Sequence, residues 1–381
     1  MQRAHPAGKM VPMRVLIAPD KFKGSLTAAE AAAAMAQGVL EVYPDAEITA
    51  VPVADGGEGT LEAALAAGAG ERSARVQGPL ERMVTAVWAL RDRTAVIETA
   101  RASGLALVDP TIESALAATS YGSGQLILAA LDAGATEIIL GIGGSAMTDG
   151  GSGALTALGL RILDAEGSPV PFGGAGLARA AQIDASGLDP RLAGVRIRIA
   201  ADVTNPLTGP EGAAHVFGAQ KGADPATREL LDEALGRWAK LLHRSTGIDV
   251  DVPGAGAADG FPSAFLAFTN AVIEPGFVLV SSLTGLAGEL ARADLVLTGE
   301  GSMDEQSMYG KAPLEVARLA AEAGLPVVVV AGRITLNPAQ LAPFGVVAAV
   351  SLLDLASDPA EAMARAGQYL VRGTRQALEG A

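Results

Sequence analysis

A chain of 381 residues has room for two domains, and its 42 acidic against 28 basic residues leave a net charge of −14, the wrong sign for gripping nucleic-acid phosphates. The absence of cysteine excludes disulfides, thiolate zinc sites and cysteine nucleophiles, and leaves His5, His215 and His243 as the only imidazoles. No apolar run approaches the ~20 residues that span a bilayer, and the start MQRAHPAGKMVP lacks a long apolar stretch, so a cytoplasmic enzyme without nucleic-acid or membrane partners is expected.

The first predicted strand covers 14–18 and leaves the loop Asp20–Leu26 at its carboxyl end. Thr27 with Glu30 three residues on forms a capping box, so a helix should run from Ala28 to about Val42. A second strand follows at 48–53. Residues 83–99 alternate around Arg91-Asp92-Arg93 as an antiparallel hairpin does. Another strand is expected at 137–142. The stretch from about 154 to 282 offers few strand runs but carries an amphipathic helix near 226–243, with Leu230, Leu231, Ala234, Leu235, Trp238, Leu241 and Leu242 on one stripe. Trp88 and Trp238 are expected in the core. Strands return at 294–299, 326–331 and 346–352, and Pro313 and Gly324 bracket a helix between the first two of these.

Short apolar strands followed by glycine-rich turns and alanine-rich helices are the pattern of parallel β/α units. The expected fold is therefore α/β: a Rossmann- or flavodoxin-like parallel sheet domain from 13–65, 116–153 and 283–381, with a second α/β domain from 66–115 and 154–282 inserted into it.

Lysine usage locates the chemistry. Only six of the 28 basic residues are lysines (9, 21, 23, 221, 240 and 311), and Lys21, Lys23, Lys221 and Lys311 fall in loops bounded by glycine or proline. A compact ammonium suits a phosphoryl or carboxylate oxygen as a point charge, although solvated loop lysines are common. Four loops after predicted strands combine glycine with acid: Asp20–Ser25, Asp55–Gly59, Gly141–Gly151 and Thr298–Asp304. In an open parallel sheet such loops gather at the carboxyl edge, where backbone N–H groups meet phosphates and carboxylates can hold Mg²⁺. A single Gly-Gly turn after a strand signifies little; four with acids and lysines point to a metal-dependent phosphoryl site.

Gly141–Ala146 also fits the G-x-G-x-x-A dinucleotide fingerprint, but polar and glycine residues continue to Gly153 where a helix should already have begun. Gly310-Lys311 is followed by Ala312, which excludes an ordinary P-loop. No HExxH occurs. His243 ends an amphipathic helix, and His215 alone stands in a loop, so a histidine-based hydrolase is disfavoured.

The motifs VLIAPDKFKGSLTA (15–28), PVADGGEGT (52–60), IETARASGL (97–105), TSYGSGQLI (119–127), GIGGSAMTDGGSG (141–153), ADVTNPLTGPEGAAHVFGAQKGA (201–223), VPGAGAADG (252–260) and LTGEGSMDEQSMYGKAP (297–313) closely resemble the bacterial type I glycerate kinase family. The resemblance runs from Met13 to the carboxyl end; residues 1–12 precede it as an extension or a misassigned start. It implies phosphorylation of D-glycerate by ATP with Mg²⁺, on the 2-hydroxyl for this class, with the active site in the cleft of a two-domain fold. A homodimer is left open. Three departures stand out: Met147-Thr148 within the family's GGSATNDGG, Ser302 for the arginine of GEGRxD, and Asp259 in GAGAAGG.

On this reading Asp20 or Asp202 is the base that orients or deprotonates the hydroxyl, and Lys21, Lys23 and Lys311 meet phosphoryl or carboxylate oxygens. Ser25, Asp55, Gly56, Gly57, Ser103, Asn205 and Lys221 are the substrate-side residues. Gly143, Gly144, Ser145, Gly150, Gly151, Gly299 and Gly301 are expected at the nucleotide. Asp149, Glu300 and Asp304, with Asp55 beside them, are the metal-side acids. Two other classes remain: an NAD(P)-dependent dehydrogenase of a small hydroxy acid, and a non-catalytic small-acid binding protein.

Because arginine serves elsewhere as the surface cation, a merely solvated Lys21 or Lys23 should accept it. We expect Lys21→Arg or Lys23→Arg to lower kcat/KM for glycerate more than tenfold, about 1.4 kcal/mol of transition-state stabilisation. Two fully active variants would place the cationic side elsewhere.

Overall fold

The computed structural model describes residues 12–380, so His5, Lys9 and the rest of 1–11 lie outside the described residues. The chain forms two compact units. Of the described residues, one comprises 12–55, Glu62–Ala67 and 277–380; the other comprises Gly56–Leu61 and Gly68–Gly276.

The first unit is built on a five-stranded parallel sheet in the order Val346–Ser351, Val327–Ala331, Leu295–Thr298, Arg14–Ile17, Glu47–Ala50. Successive side chains of a strand point to opposite faces. Val15, Ile17, Leu295, Leu297, Val328 and Val330 accordingly pack with Ala31, Met35, Val39 and Leu370. Their neighbours Leu16, Val296, Val327 and Val329 pack with Leu286, Leu314, Val316 and Ala317. Burial on both faces explains why these strands read as unbroken apolar runs.

The helix Ala28–Val42 has the expected bounds, and its capping box is formed: the Glu30 N–H donates to Thr27 Oγ1 at 3.2 Å and the Thr27 N–H to Glu30 Oε2 at 2.8 Å. The helix Ala312–Glu322 starts at Lys311 with Pro313 in its first turn, and Gly324 follows with φ +71°.

The second unit carries a six-stranded sheet in the order Val272–Glu274, Arg196–Ala200, Glu137–Gly141, Thr94–Glu98, Met83–Arg91, Gly70–Gln77. The first four strands run parallel; the hairpin around Arg91-Asp92-Arg93 adds Met83–Arg91 antiparallel to Thr94–Glu98, and Gly70–Gln77 pairs antiparallel to Met83–Arg91. Here the expected boundaries need correction. Residues 116–153 belong to this unit, because the strand Glu137–Gly141 pairs with Thr94–Glu98 on one side and Arg196–Ala200 on the other. Its Ile138, Ile139 and Leu140 suit any parallel strand covered on both faces, so the pattern predicts a strand but not its partners.

The amphipathic helix extends over Pro225–Thr246, capped by Asp224, and buries Leu231, Ala234, Leu235, Trp238, Leu241 and Leu242. Leu230 is the exception to the predicted stripe, being 44% exposed. Trp88 and Trp238 are both in the core. Among the described residues no helix is long and apolar enough to cross a membrane.

Gly38 lies in the middle of the first long helix, where alanine is worth about 1 kcal/mol more by propensity. A Cβ there would fall 2.6 Å from the Val371 carbonyl oxygen and 2.7 Å from Thr374 Cβ. Backbone on the partner helix cannot yield as a side-chain end can, and overpacking costs typically about 1–3 kcal/mol. Gly38→Ala should therefore destabilise by up to about 2 kcal/mol in urea unfolding despite its better propensity; a stabilised variant would show that the helix pair separates freely.

Candidate functional site

At the carboxyl edge of the first unit's sheet, three loops, two of them acidic, are tied together through their backbones. The Asp20 N–H donates to the Gly299 carbonyl at 2.9 Å, and the N–H groups of Gly332 and Arg333 bind the carbonyls of Glu300 and Gly301 at 2.9 and 3.1 Å. Gly299 and Gly301 make this approach feasible. A Cβ on Gly299 would lie 1.8 Å from the Val330 carbonyl oxygen, and one on Gly301 3.1 Å from the Lys23 nitrogen. Ser302 stands opposite Arg333 in a two-residue parallel ladder.

This arrangement concentrates negative charge in a desolvated place. Asp20 is 8% exposed; burial chiefly, and then the charge of Asp55, push its carboxyl up to about 7. The Lys21 N–H at 2.6 Å and the Lys21 cation pull in the opposite direction, and Glu300 adds a smaller push upward. Glu300 is also raised by burial, with Asp304 and Asp55 adding to it. The Ser307 hydroxyl, 2.7 Å from Glu300 Oε1, and Lys311 Nζ, 3.7 Å from Oε2, offset part of that cost. Asp304 also caps the short turn that follows, accepting from the Gln306 N–H at 3.0 Å. Lys21 is half-buried and Lys23 exposed. Ser25 Oγ donates to the Phe22 carbonyl at 3.0 Å, closing its own turn.

Among the described residues no three Asp, Glu, His or Cys side chains form a cage for a metal ion. Repulsion that makes ionisation costly is nevertheless relieved by a bound cation as well as by a proton. Mg²⁺ fits such a donor set in its usual manner, through one or two carboxylates with water and phosphate oxygens completing the octahedron.

In the second unit the long loop 141–153 leaves Gly143 and Gly144 exposed and buries Ser145 through Gly151. Asp149, expected at the metal, is fully buried. Its Oδ2 accepts from Thr119 Oγ1, the Ser120 N–H, Ser120 Oγ and the Gly153 N–H at 2.8–3.2 Å, while Oδ1 accepts from the Gly151 N–H at 3.2 Å. That carboxylate organises the loop from within. Gly150 and Gly151, expected at the nucleotide, are packing glycines with φ +58° and +76°; a Cβ would meet Trp238 at 2.7 Å in the first and the Phe261 carbonyl oxygen at 2.5 Å in the second.

Other expected contacts also turn inward. Ser103 is fully buried and accepts from Ser123 Oγ at 2.9 Å. Gly56 packs against Ala200 and Gly276, whereas Gly57 is half-exposed. Lys221, expected at the substrate, is buried against Asp259. Asn205 Nδ2 donates to the Glu211 carbonyl at 2.8 Å. Asp202 is exposed, and its Oδ1 accepts from the Gly276 N–H at 2.8 Å.

Glu98 and Arg101 were missed. Glu98 ends the strand Thr94–Glu98, is buried, and accepts from the Gly59 and Leu61 N–H groups at 2.9 and 3.0 Å, while Arg101 Nε binds its other oxygen at 2.9 Å. An acid at the carboxyl end of a strand was the available signal. The turn after Glu137–Gly141 reaches Ser152 before a helix begins, so the dinucleotide geometry is not formed.

Residues 15–380 match the model of the glycerate kinase family. The chain is 46% identical over 367 residues to the glycerate 2-kinase of Escherichia coli strain K12, covering 95% of this chain and 96% of that protein. It is 43% identical over 365 residues to a glycerate kinase of Halalkalibacterium halodurans, with the same coverages of 95% and 96%. A crystal structure described as a glycerate kinase 2 from Salmonella typhimurium LT2 superimposes with a TM-score of 0.85 at 44% identity, covering 96% of this chain and 97% of that one.

Asp20 also has a consequence for stability. Since its folded value near 7 lies above the usual 3.8, its protonated form favours the fold at low pH, and that contribution is lost as pH rises from about 4 through about 7. Asp20→Asn carries no such loss. Urea unfolding at about pH 4 and about pH 8 should show the variant gaining on the parent by on the order of 3 kcal/mol at the higher pH. A pH-independent difference would mean that Asp20 ionises as freely folded as unfolded.

Proposed function

This chain belongs to the glycerate kinase family, and we propose that it transfers the γ-phosphoryl group of ATP to the 2-hydroxyl of D-glycerate, giving 2-phosphoglycerate and ADP. It is a phosphotransferase with an alcohol as acceptor. The observation that carries the mechanism is the burial of Asp20, which together with the charges of Asp55 and Glu300 pushes its carboxyl up to about 7. A general base works best with a pKa near the operating pH, because it is then both ionised and basic enough to take a proton. Asp20 is the base on this reading. Asp202, the other candidate, is exposed, and its bond to the Gly276 N–H ties together the chain beyond the paired strands Arg196–Ala200 and Val272–Glu274.

Lys21 and Lys23 beside Asp20 neutralise phosphoryl or carboxylate charge, and Lys311 does so from the start of its helix. Bound Mg²⁺ supplies charge neutralisation on the β- and γ-phosphate oxygens. Glu300, Asp304 and Asp55 are the acids to hold it, one or two at a time. In the second unit, exposed Gly143 and Gly144 offer backbone N–H groups to an anionic oxygen without a side chain in the way. The name of the Escherichia coli relative, a glycerate 2-kinase at 46% identity, supports the choice of hydroxyl. The lack of cysteine and the need for ATP fit a cytoplasmic enzyme.

Purified protein with ATP, Mg²⁺ and D-glycerate should release ADP, and NMR of the product should place phosphorus on carbon 2; phosphorus on carbon 3 would overturn the assignment. In the parent, kcat/KM should rise with pH through about 7 as Asp20 loses its proton. Asp20→Asn should lower kcat at least about a hundredfold and abolish that limb, while Asp202→Asn keeps both. The reverse pattern would transfer the base to Asp202.

A further inference from the structure

Lys221 and Asp259 form an ion pair almost without solvent contact, 2% and 1% exposed. The pair is unusual in three respects. Lys221 Nζ donates to Asp259 Oδ2, to the Met147 carbonyl at 2.7 Å and to Ser145 Oγ at 3.3 Å, so an ammonium with three protons has three acceptors. Asp259 Oδ1 is buried without a hydrogen-bond partner. Asp259 and the preceding Ala258 both adopt left-handed backbone, with φ +50° and +48°, a conformation unfavourable for residues with a Cβ.

A buried pair is poor as a stabilising device, since desolvating both charges consumes most of what their attraction returns. An orphaned oxygen and two strained residues make this one poorer still. Strain of this kind persists where surrounding structure enforces it and clusters at functional sites. What the pair does achieve is a fixed place for the loop 143–147. Lys221 holds Ser145 and Met147, while the Leu105 N–H binds the Gly144 carbonyl and the Ala146 N–H binds the Ser103 carbonyl, both at 2.8 Å. Only Gly143 and Gly144 of this loop reach solvent.

We propose that Lys221 is a positioning residue rather than a ligand contact: held by Asp259, it fixes Ser145 and Met147 so that Gly143 and Gly144 present their N–H groups to an anionic oxygen of a substrate. The assignment rests on the kinase reading for the identity of that substrate, a phosphate of ATP or the carboxylate of glycerate. It does not rest on that reading for the role of the pair in the loop.

Lys221→Met and the double variant Lys221→Met with Asp259→Asn test it. Asparagine tolerates left-handed backbone and removes the charge that the single variant strands, so the double variant should melt above the single one. In ligand-free protein, hydrogen exchange at residues 143–147 should accelerate at least tenfold in both variants. In turnover, the KM of one substrate should rise at least tenfold in both while that of the other stays within about twofold, which identifies the anion that docks there. If the double variant regains parental exchange or KM along with its melting temperature, the pair is a structural filler and the proposal fails. Unchanged exchange in Lys221→Met with a raised KM would make Lys221 a ligand contact and also overturn it. Absence of turnover in the parent would count against the kinase reading, and the exchange measurement would still decide the role of the pair.

Discussion

A parallel sheet covered on both faces leaves a ligand one place to go, the edge where its strands end. In the first unit this forces Asp20, Asp55 and Glu300 into one neighbourhood, because each begins or belongs to a loop leaving an adjacent strand. Leu16 and Ile17 are buried in the layers on the two faces, and Asp20 just beyond them is buried as well. Burial and mutual repulsion then act with one sign on Asp20 and Glu300, making ionisation costly for both. The local lysines reduce that cost without removing it, so both carboxyls stay above their ordinary values.

In the second unit polar groups serve a different end. Asp149 accepts from five donors, Trp238 Nε1 and Ser263 Oγ donate to the Gly150 carbonyl at 3.0 and 3.2 Å, and Glu98 holds the Gly59–Leu61 backbone. Each satisfies buried backbone that a long loop would otherwise leave unpaired. An extended loop with this much internal bonding can be rigid without belonging to a helix or a strand. Its exposed glycines, Gly143 and Gly144, are thereby held in a fixed frame.

What could be read from the residues follows from this division. The strand runs, the capping box at Thr27 and Glu30, the hairpin at 83–99 and the helix carrying Trp238 are local patterns, and all of them appear. Sheet membership is not local. Nothing in Ile138–Leu140 distinguishes a partner at Val96–Ile97 from one at Val15–Ile17, which is why 116–153 was expected in the wrong unit. The acidic loops of the first unit were legible because acids and lysines sit on short connections after strands. The glycine-rich loop of the second was legible as a loop, but glycine serves close packing and ligand approach equally well. Gly143, Gly150 and Gly151 all serve close packing, against Gly57, Trp238 and Phe261, and only the positions of those neighbours show it.

The two lysines at positions 221 and 311 sharpen the point. Both follow glycine-containing stretches and both have an acid as partner; from the residues both are expected at a ligand, Lys311 at a phosphoryl or carboxylate oxygen and Lys221 on the substrate side. Lys311 keeps a third of its side chain exposed and stands 3.7 Å from Glu300, so it can exchange that partner for an incoming anion at little cost. Lys221 has no such freedom, since moving it would leave Asp259, Met147 and Ser145 to rearrange in a dry interior. Burial, more than residue type or spacing, separates a cation that can change partners from one that holds a loop in place.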